Sequence, residues 1–317
     1  MPYLERFPET HVKDGFVGGV LSHAPLFYRS ESDYAGRITA FVRAGLAQGE
    51  AALIALPGEK GHLIGACLDD IPGELTFADM AELGRNPARI IPEVRSFTEK
   101  HPGQRVRFVG EPVWPGRTPA EICEATRHEA LINLAFAQVQ AAILCPYDAS
   151  GLAGSVLADA RRTHQEPAAS GATARTWRDN LPPGCDRPLS PPPAEAEALA
   201  YDVDLAPVRR LVERHARRAG LGATRTVDLG LAATEVAANT ISHTDEGGVI
   251  HVWHTGEKVL CQVHDVGRIT DPLAGRVRHG PDDSGHGLWL VNQVCDLVEL
   301  RSGDAGTTVR MHMRRAG

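Results

Sequence analysis

Short apolar runs and helical patterns alternate along the first half of the chain. Ala51 to Leu56 is a continuous apolar run closed by Pro57-Gly58, which predicts a buried strand followed by a loop. Phe16 to Leu21, Val106 to Gly110 and Ala141 to Cys145 carry the same strand signature. Between them, Tyr34 to Gln48 places Ile38, Phe41, Val42 and Leu46 at helical spacing, and Pro119 to Ala137 is a long helical stretch. Strands alternating with helices predict an α/β domain with a mainly parallel sheet.

The second half has a different rhythm. Leu205 to Ala219 sets Leu205, Val208, Leu211 and Val212 among arginines and is closed by Gly220 and Gly222, a helix with a stop signal. Thr226 to His243 and Leu288 to Asp296 also read as helices. Val249 to Trp253 and Val259 to His264 read as strands joined through Thr255 to Lys258. Val298 to Arg301 and Thr307 to Met313 close the chain as a hairpin around Asp304-Ala305-Gly306. Helices on one side of an antiparallel-rich sheet predict an α+β sandwich. Between the halves, Gln165 to Ala194 is rich in Pro, Ala, Gly and Ser and ends in Pro191 to Pro193. Such composition predicts an extended linker without a core. The expected organisation is residues 1–166, a linker at 167–195, and residues 196–317.

Composition narrows the function classes. At 317 residues, 43% hydrophobic and 23% charged, the chain is globular in character and long enough for two domains. No stretch approaches the roughly 18 apolar residues of a membrane span, and the acidic N-terminus has no secretory character, so a cytoplasmic protein is expected. A net charge of −7 without a basic tail gives no footprint for direct nucleic-acid binding. The six cysteines are scattered without a CxxC pair and read as small buried hydrophobes. Cys145, His23 and His164 have zinc-ligand chemistry, but their spacing lends a site no support.

Four features fall in order in the second half. Glu235, Asn239 and His243 recur every four residues and share one helix face. That stripe is either a solvated face or the lining of a site, with a carboxylate for proton abstraction and an amide oxygen for a hard cation. Asp265-Val266-Gly267 ends an apolar strand; Ser284-Gly285-His286-Gly287-Leu288 opens a helix, where free N–H groups suit phosphate; Gly306-Thr307-Thr308 lies between two strands.

In this order the four features resemble the boxes of the GHKL ATPases, the family of gyrase, the heat-shock chaperone, histidine kinases and a mismatch-repair protein. The resemblance covers about Ala200 to Arg315 and implies a Bergerat-type ATP-binding sandwich. It implies that Asn239 binds Mg²⁺ bridging the ATP phosphates and that Asp265 accepts from the adenine amino group. Gly267 would let the base approach, Gly285, His286, Gly287 and Leu288 would form the lid, and Thr307 and Thr308 the adenine side. Glu235 would be the general base, with His243 as a further phosphate contact where Ser242 replaces a basic residue. The box of Asp265 continues Arg268-Ile269-Thr270 in place of a second glycine.

The run from Gly287 to Arg314 looks like the anti-sigma-factor serine kinase branch. That resemblance implies a sigma factor or an anti-sigma antagonist as partner, with a homodimer as a common assembly. The alternatives are a nucleotide-binding switch without transfer and an atypical sensor histidine kinase. The latter needs an acceptor histidine, and His128-Glu129 is the only His-Glu pair on a helix; it reads as a surface histidine without the usual downstream proline.

The first half is similar to the MEDS sensory domain over about residues 15–166, carried by FVGGVLSHAPLFYRS, GRNPARIIPEVRSF, VRFVGEPVWPG and ILCPYDASGL. That domain has a RecA/KaiC-like parallel sheet but no phosphate loop, and no GxxxxGK[ST] occurs here. A pocket at the strand ends for a small-molecule signal would draw on His23, Tyr28, Arg29, Glu111, Asn133 and Tyr147; a docking platform is the alternative.

Overall fold

A strand buried along its whole length has to be covered on both faces, and Ala51–Leu56 is such a strand. In the computed structural model, which describes residues 21–164, 177–244, 246–277 and 286–315, it is the second of five parallel strands. β1 (Leu21–Tyr28), β2 (Ala51–Leu56), β3 (Leu75–Asp79), β4 (Val106–Gly110) and β5 (Ala141–Asp148) take the order β1-β5-β4-β2-β3. Helices supply the crossovers: α1 (Glu31–Leu46), α2 (Glu59–Leu68), the short α3 (Met80–Leu83), α4 (Ile90–Glu99), α5 (Pro119–Ala135) and, after β5, α6 (Gly154–Thr163). One face packs Tyr34, Ile38, Val42 and Ile64 of α1 and α2 against Leu26, Ile54 and Leu144. The other packs Ile91, Val94, Leu131 and Ile132 of α4 and α5 against Leu53, Phe108 and Ile143.

The strand expected at Phe16 to Leu21 falls almost wholly outside the described residues; the first described strand is β1. Its polar Ser22 and His23, and a Pro25 that withholds a ladder donor, hide it from an apolar-run search. Pro25 is accommodated because β1 lies at the sheet edge.

The second unit is a five-stranded antiparallel sheet in the order β6-β7-β8-β10-β9. In chain order its elements are β6 (Glu197–Tyr201), α7 (Ala206–Arg218), α8 (Ala223–His243), β7 (Gly248–His254), β8 (Lys258–Asp265), α9 (His286–Val294), β9 (Leu297–Gly303) and β10 (Gly306–Arg314). The three helices cover one face, where Val208, Leu211, Leu229, Val236 and Val291 meet Ile250, Val263 and Met311.

The described part of the proline-rich stretch is not the unpacked linker its composition predicts. Leu181 and Cys185 pack with Ala130 of α5, and Trp177 and Cys123 join them. The Arg127 guanidinium lies 5.3 Å from the Trp177 ring centre and donates to the Cys185 carbonyl at 3.0 Å. Arg310 of β10 reaches the Ser190 carbonyl. A few apolar anchors, averaged away in the composition, dock this described part, whose regular structure is a single 3-10 turn at Pro183–Cys185.

The two units also touch directly. Asn86 donates to both the carbonyl and the side-chain oxygen of Asn292 at 3.0 Å, and Arg89 to the Gln293 carbonyl at 2.8 Å. Glu121 of α5 pairs with Arg314, and Glu124 lies 2.7 Å from Arg301 and 3.4 Å from Arg276.

Candidate nucleotide site

Strand β8 ends on Asp265, and both carboxylate oxygens are occupied by local donors. Thr240 Oγ1 donates to Oδ2 at 2.6 Å and the Gly267 amide to Oδ1 at 2.8 Å. Tyr201 in turn donates to Thr240 at 2.9 Å, and burial pushes its phenol up to about 12. The carboxylate is therefore fixed in direction, yet each oxygen keeps a further lone pair. Past the turn, Thr307 Oγ1 donates to the Gly267 carbonyl and meets Ser302 Oγ, both at 2.8 Å, and Ser302 accepts the Ile269 amide at 2.8 Å. These bonds staple the 265–270 segment to the β9–β10 hairpin. Gly306 is required at the tip: its φ is +100°, and a Cβ there would stand 2.0 Å from the Asp265 carbonyl oxygen.

Asp265 faces a cavity of about 420 Å³, within the roughly 300–1,000 Å³ range of small-molecule sites. Asn239, Thr240 and His243 line it from α8, Asp265, Gly267 and Arg268 from the end of β8, Leu288 from α9 and Thr307 from β10. Glu235 comes close to the same place. A Cβ on Gly287 would lie 3.0 Å from Glu235 Oε2 and 3.2 Å from Asn239 Nδ2, so the start of α9 approaches both side chains with nothing to spare.

The structure thus brings together Glu235, Asn239, His243, Asp265, Gly267, Gly287, Leu288 and Thr307. His286 opens α9, and Gly285 lies outside the described residues. Thr308 does not join them. It alternates to the opposite face of β10, where its hydroxyl meets His264 Nδ1 at 3.0 Å. Thr240 is the residue that sequence reasoning missed; its signal was a hydroxyl beside Asn239, on an otherwise apolar helix flank.

In the first unit the six sensory candidates separate instead of forming one pocket. His23 meets Asn133 at 3.1 Å beneath the sheet, with the Tyr147 and His164 rings in edge contact at 5.9 Å. Tyr28 donates to Glu111 at 2.8 Å on the side of α1 and α2, where Tyr34 and Lys60 complete a second cluster. Burial raises the Glu111 carboxyl even with Lys60 at 2.6 Å. Arg29 is exposed. A cavity of about 570 Å³ at the ends of β2 and β3 is lined by Gly58, His62, Phe77 and Asp79 among others, and by none of the six.

The reading of His128 as a surface residue is corrected: it is 1% exposed, and burial lowers its imidazole to about 3. Helix α5 is covered on nearly every side, so its inner positions carry no periodic mark.

Comparison with protein families agrees with this division. The model of the MEthanogen/methylotroph, DcmR Sensory (MEDS) domain matches residues 22–165, and that of the histidine kinase-like ATPase domain matches residues 199–313. A search of curated proteins finds no match to the chain. Among the described residues no helix is long and apolar enough to cross a membrane. The chain is therefore a signalling regulator that joins a MEDS sensory domain to a histidine kinase-like ATPase domain.

Proposed function

We propose that the C-terminal domain binds Mg-ATP in the cavity beside Asp265 and acts, in the cytoplasm, on a sigma-factor-pathway protein under control of the N-terminal domain. The observation that carries this is the fixed Asp265 carboxylate, held by Thr240 and Gly267 at the cavity wall. A carboxylate with set direction and spare lone pairs suits an exocyclic amino group of a purine. The donor set fits the metal as well: the Asn239 amide lines the cavity, and an amide oxygen suits a hard cation. Mg-ATP would supply the phosphoryl group. Glu235, one turn before Asn239, would take the proton of an incoming serine hydroxyl. Thr307, which lines the cavity, would serve the adenine side in place of Thr308. The partner is a sigma factor or its antagonist, and the working assembly a homodimer.

The burial of His128 speaks against an acceptor histidine on α5. A nucleotide-binding switch without transfer is the second reading, favoured by Arg268, Ile269 and Thr270, which line the cavity where relatives place a second glycine.

Calorimetry and labelled ATP test both. Asp265→Ala should weaken Mg-ATP binding by roughly 10- to 100-fold, the range for one hydrogen bond to a charged group, and Asn239→Ala should abolish the Mg²⁺ dependence of binding. Glu235→Ala should spare binding and lower transfer to a serine-bearing antagonist by about 10²-fold or more. Unchanged affinity in Asp265→Ala would sink the site. Tight binding with no label moved by the wild type would leave the switch.

A further inference from the structure

We propose that His23, Glu129, Cys145 and His164 form a binding site for one divalent d-block cation of the zinc type, in the N-terminal domain and independent of the nucleotide cavity. One ligand atom from each lies within 4.8 Å of every other. They come from β1, α5, β5 and the C-cap of α6, so no local spacing could announce them.

Hydrogen bonds around the cluster fix which nitrogens carry hydrogen. His164 Nδ1 lies 2.7 Å from the Ala160 carbonyl, which can only accept, so Nδ1 is the donor. Asn133 donates its amide to the Thr163 carbonyl at 3.0 Å, which turns its oxygen toward His23 Nδ1 at 3.1 Å. His23 Nδ1 is therefore also a donor. In both neutral rings the remaining Nε2 holds a lone pair, and both point at the same carboxylate. Glu129 Oε2 is 2.9 Å from His23 Nε2 and 3.2 Å from His164 Nε2, while Cys145 Sγ is 3.4 Å from His23 Nε2.

Lone pairs gathered so closely repel unless positive charge stands among them. Glu129 Oε1 and His164 Nε2 have no hydrogen-bond partner among the described residues, although both are buried. A buried polar atom without a partner is costly. One cation satisfies all four donors together. A tetrahedral zinc ion, with bonds of about 2.0–2.3 Å, separates its ligands by roughly 3.3–3.8 Å, so small rotations of these side chains close the shell. Two imidazoles, a thiolate and one carboxylate are a borderline-soft set, which disfavours Mg²⁺ and Ca²⁺. The second shell is already built, since each Nδ1–H is oriented by an oxygen. Cys145, Glu129 and His164 are buried, so the site is closed and structural in type, and it ties α5 and the end of α6 to the sheet.

The test uses the full chain, stripped with chelator under reducing conditions and titrated with Co²⁺. One equivalent should produce tetrahedral d–d absorption and a thiolate-to-cobalt charge-transfer band, both displaced by Zn²⁺ and not by Mg²⁺. Cys145→Ser should abolish the charge-transfer band and weaken Zn²⁺ binding at least tenfold in competition with a chromogenic chelator. Cys67→Ser, on α2, should leave both unchanged. Circular dichroism checks the fold, and His164→Gln replaces Cys145→Ser if that variant unfolds. No tetrahedral spectrum at one equivalent in the wild type would overturn the site, as would a band undiminished in the folded Cys145→Ser or His164→Gln protein.

Discussion

Thr240 holds two groups at once, donating to Asp265 while accepting from the buried Tyr201 hydroxyl. Thr240→Val keeps the shape and removes both bonds. It should cost roughly 1–3 kcal/mol of stability, because the tyrosine is left without a partner, and it should also lower Mg-ATP affinity by releasing the carboxylate; urea denaturation and calorimetry read the two effects. His128 acts through pH. The unfolded chain protonates this histidine near its ordinary value of about 6.5, whereas the folded chain, with the imidazole lowered to about 3, resists. Between those values the unfolded state binds more protons, so stability falls as pH drops from about 6.5 toward 3. His128→Gln should flatten the stability–pH curve between pH 6 and 4, measured by denaturant midpoints. Nothing in the sequence marks His128 as internal, while Glu235, Asn239 and Asp265 could be read because each sits at a fixed offset inside an ordered set of motifs. Thr240 carries no such offset and is defined only by the neighbour that β8 brings to it.

Helix α5 shows what one element can be asked to do. Its start is fixed by a reciprocal capping box, in which Thr118 and Glu121 satisfy each other's backbone amides. Further along, Glu124 is buried between Arg276 and Arg301 of the ATPase domain. Glu124→Gln leaves the buried Arg276 and the half-buried Arg301 without their carboxylate and should destabilise the protein by about 3 kcal/mol, seen as a lower guanidinium midpoint. Elements with one uniform environment were legible: β2 and β4 occupy the bounds their apolar runs predict, since both faces of each are covered. Of the edge strands, β9 falls where Val298 to Arg301 predicts it, but two others were not legible. β3 and β6 are short edge strands with half-exposed residues, and their mixed composition matches no template. Helix α8 was legible, but begins three residues early, at Ala223, with Gly222 in the capping position.

At the scale of the molecule, the sequence separates two units and places between them a stretch without core character. The structure adds what the sequence leaves out, a strap and an interface built from single anchors: Trp177, Leu181, Asn86, Arg89. Isolated residues of this kind produce no periodic signal, because each is defined by its opposite number, about fifty positions away for Trp177 and Leu181 and about two hundred for Asn86 and Arg89. Such an interface should make unfolding cooperative across both domains. Tryptophan fluorescence of the full chain should show one denaturant transition, and Asn86→Ala combined with Arg89→Ala should resolve two; two transitions in the wild type would count against this coupling. The contact of Glu124 with Arg276 has one more consequence. Arg276 follows Ala274 and Gly275, which wall the nucleotide cavity, and Glu124 lies on the helix whose next turns carry Glu129 and Asn133 beneath the sensory sheet. A single helix therefore runs from the sensory cluster to an ion pair with the neighbour of the cavity wall, and any coupling it carries is two-way. If a signal that displaces it from the sensory side changes affinity for the nucleotide by some factor, the nucleotide must change affinity for that signal by the same factor.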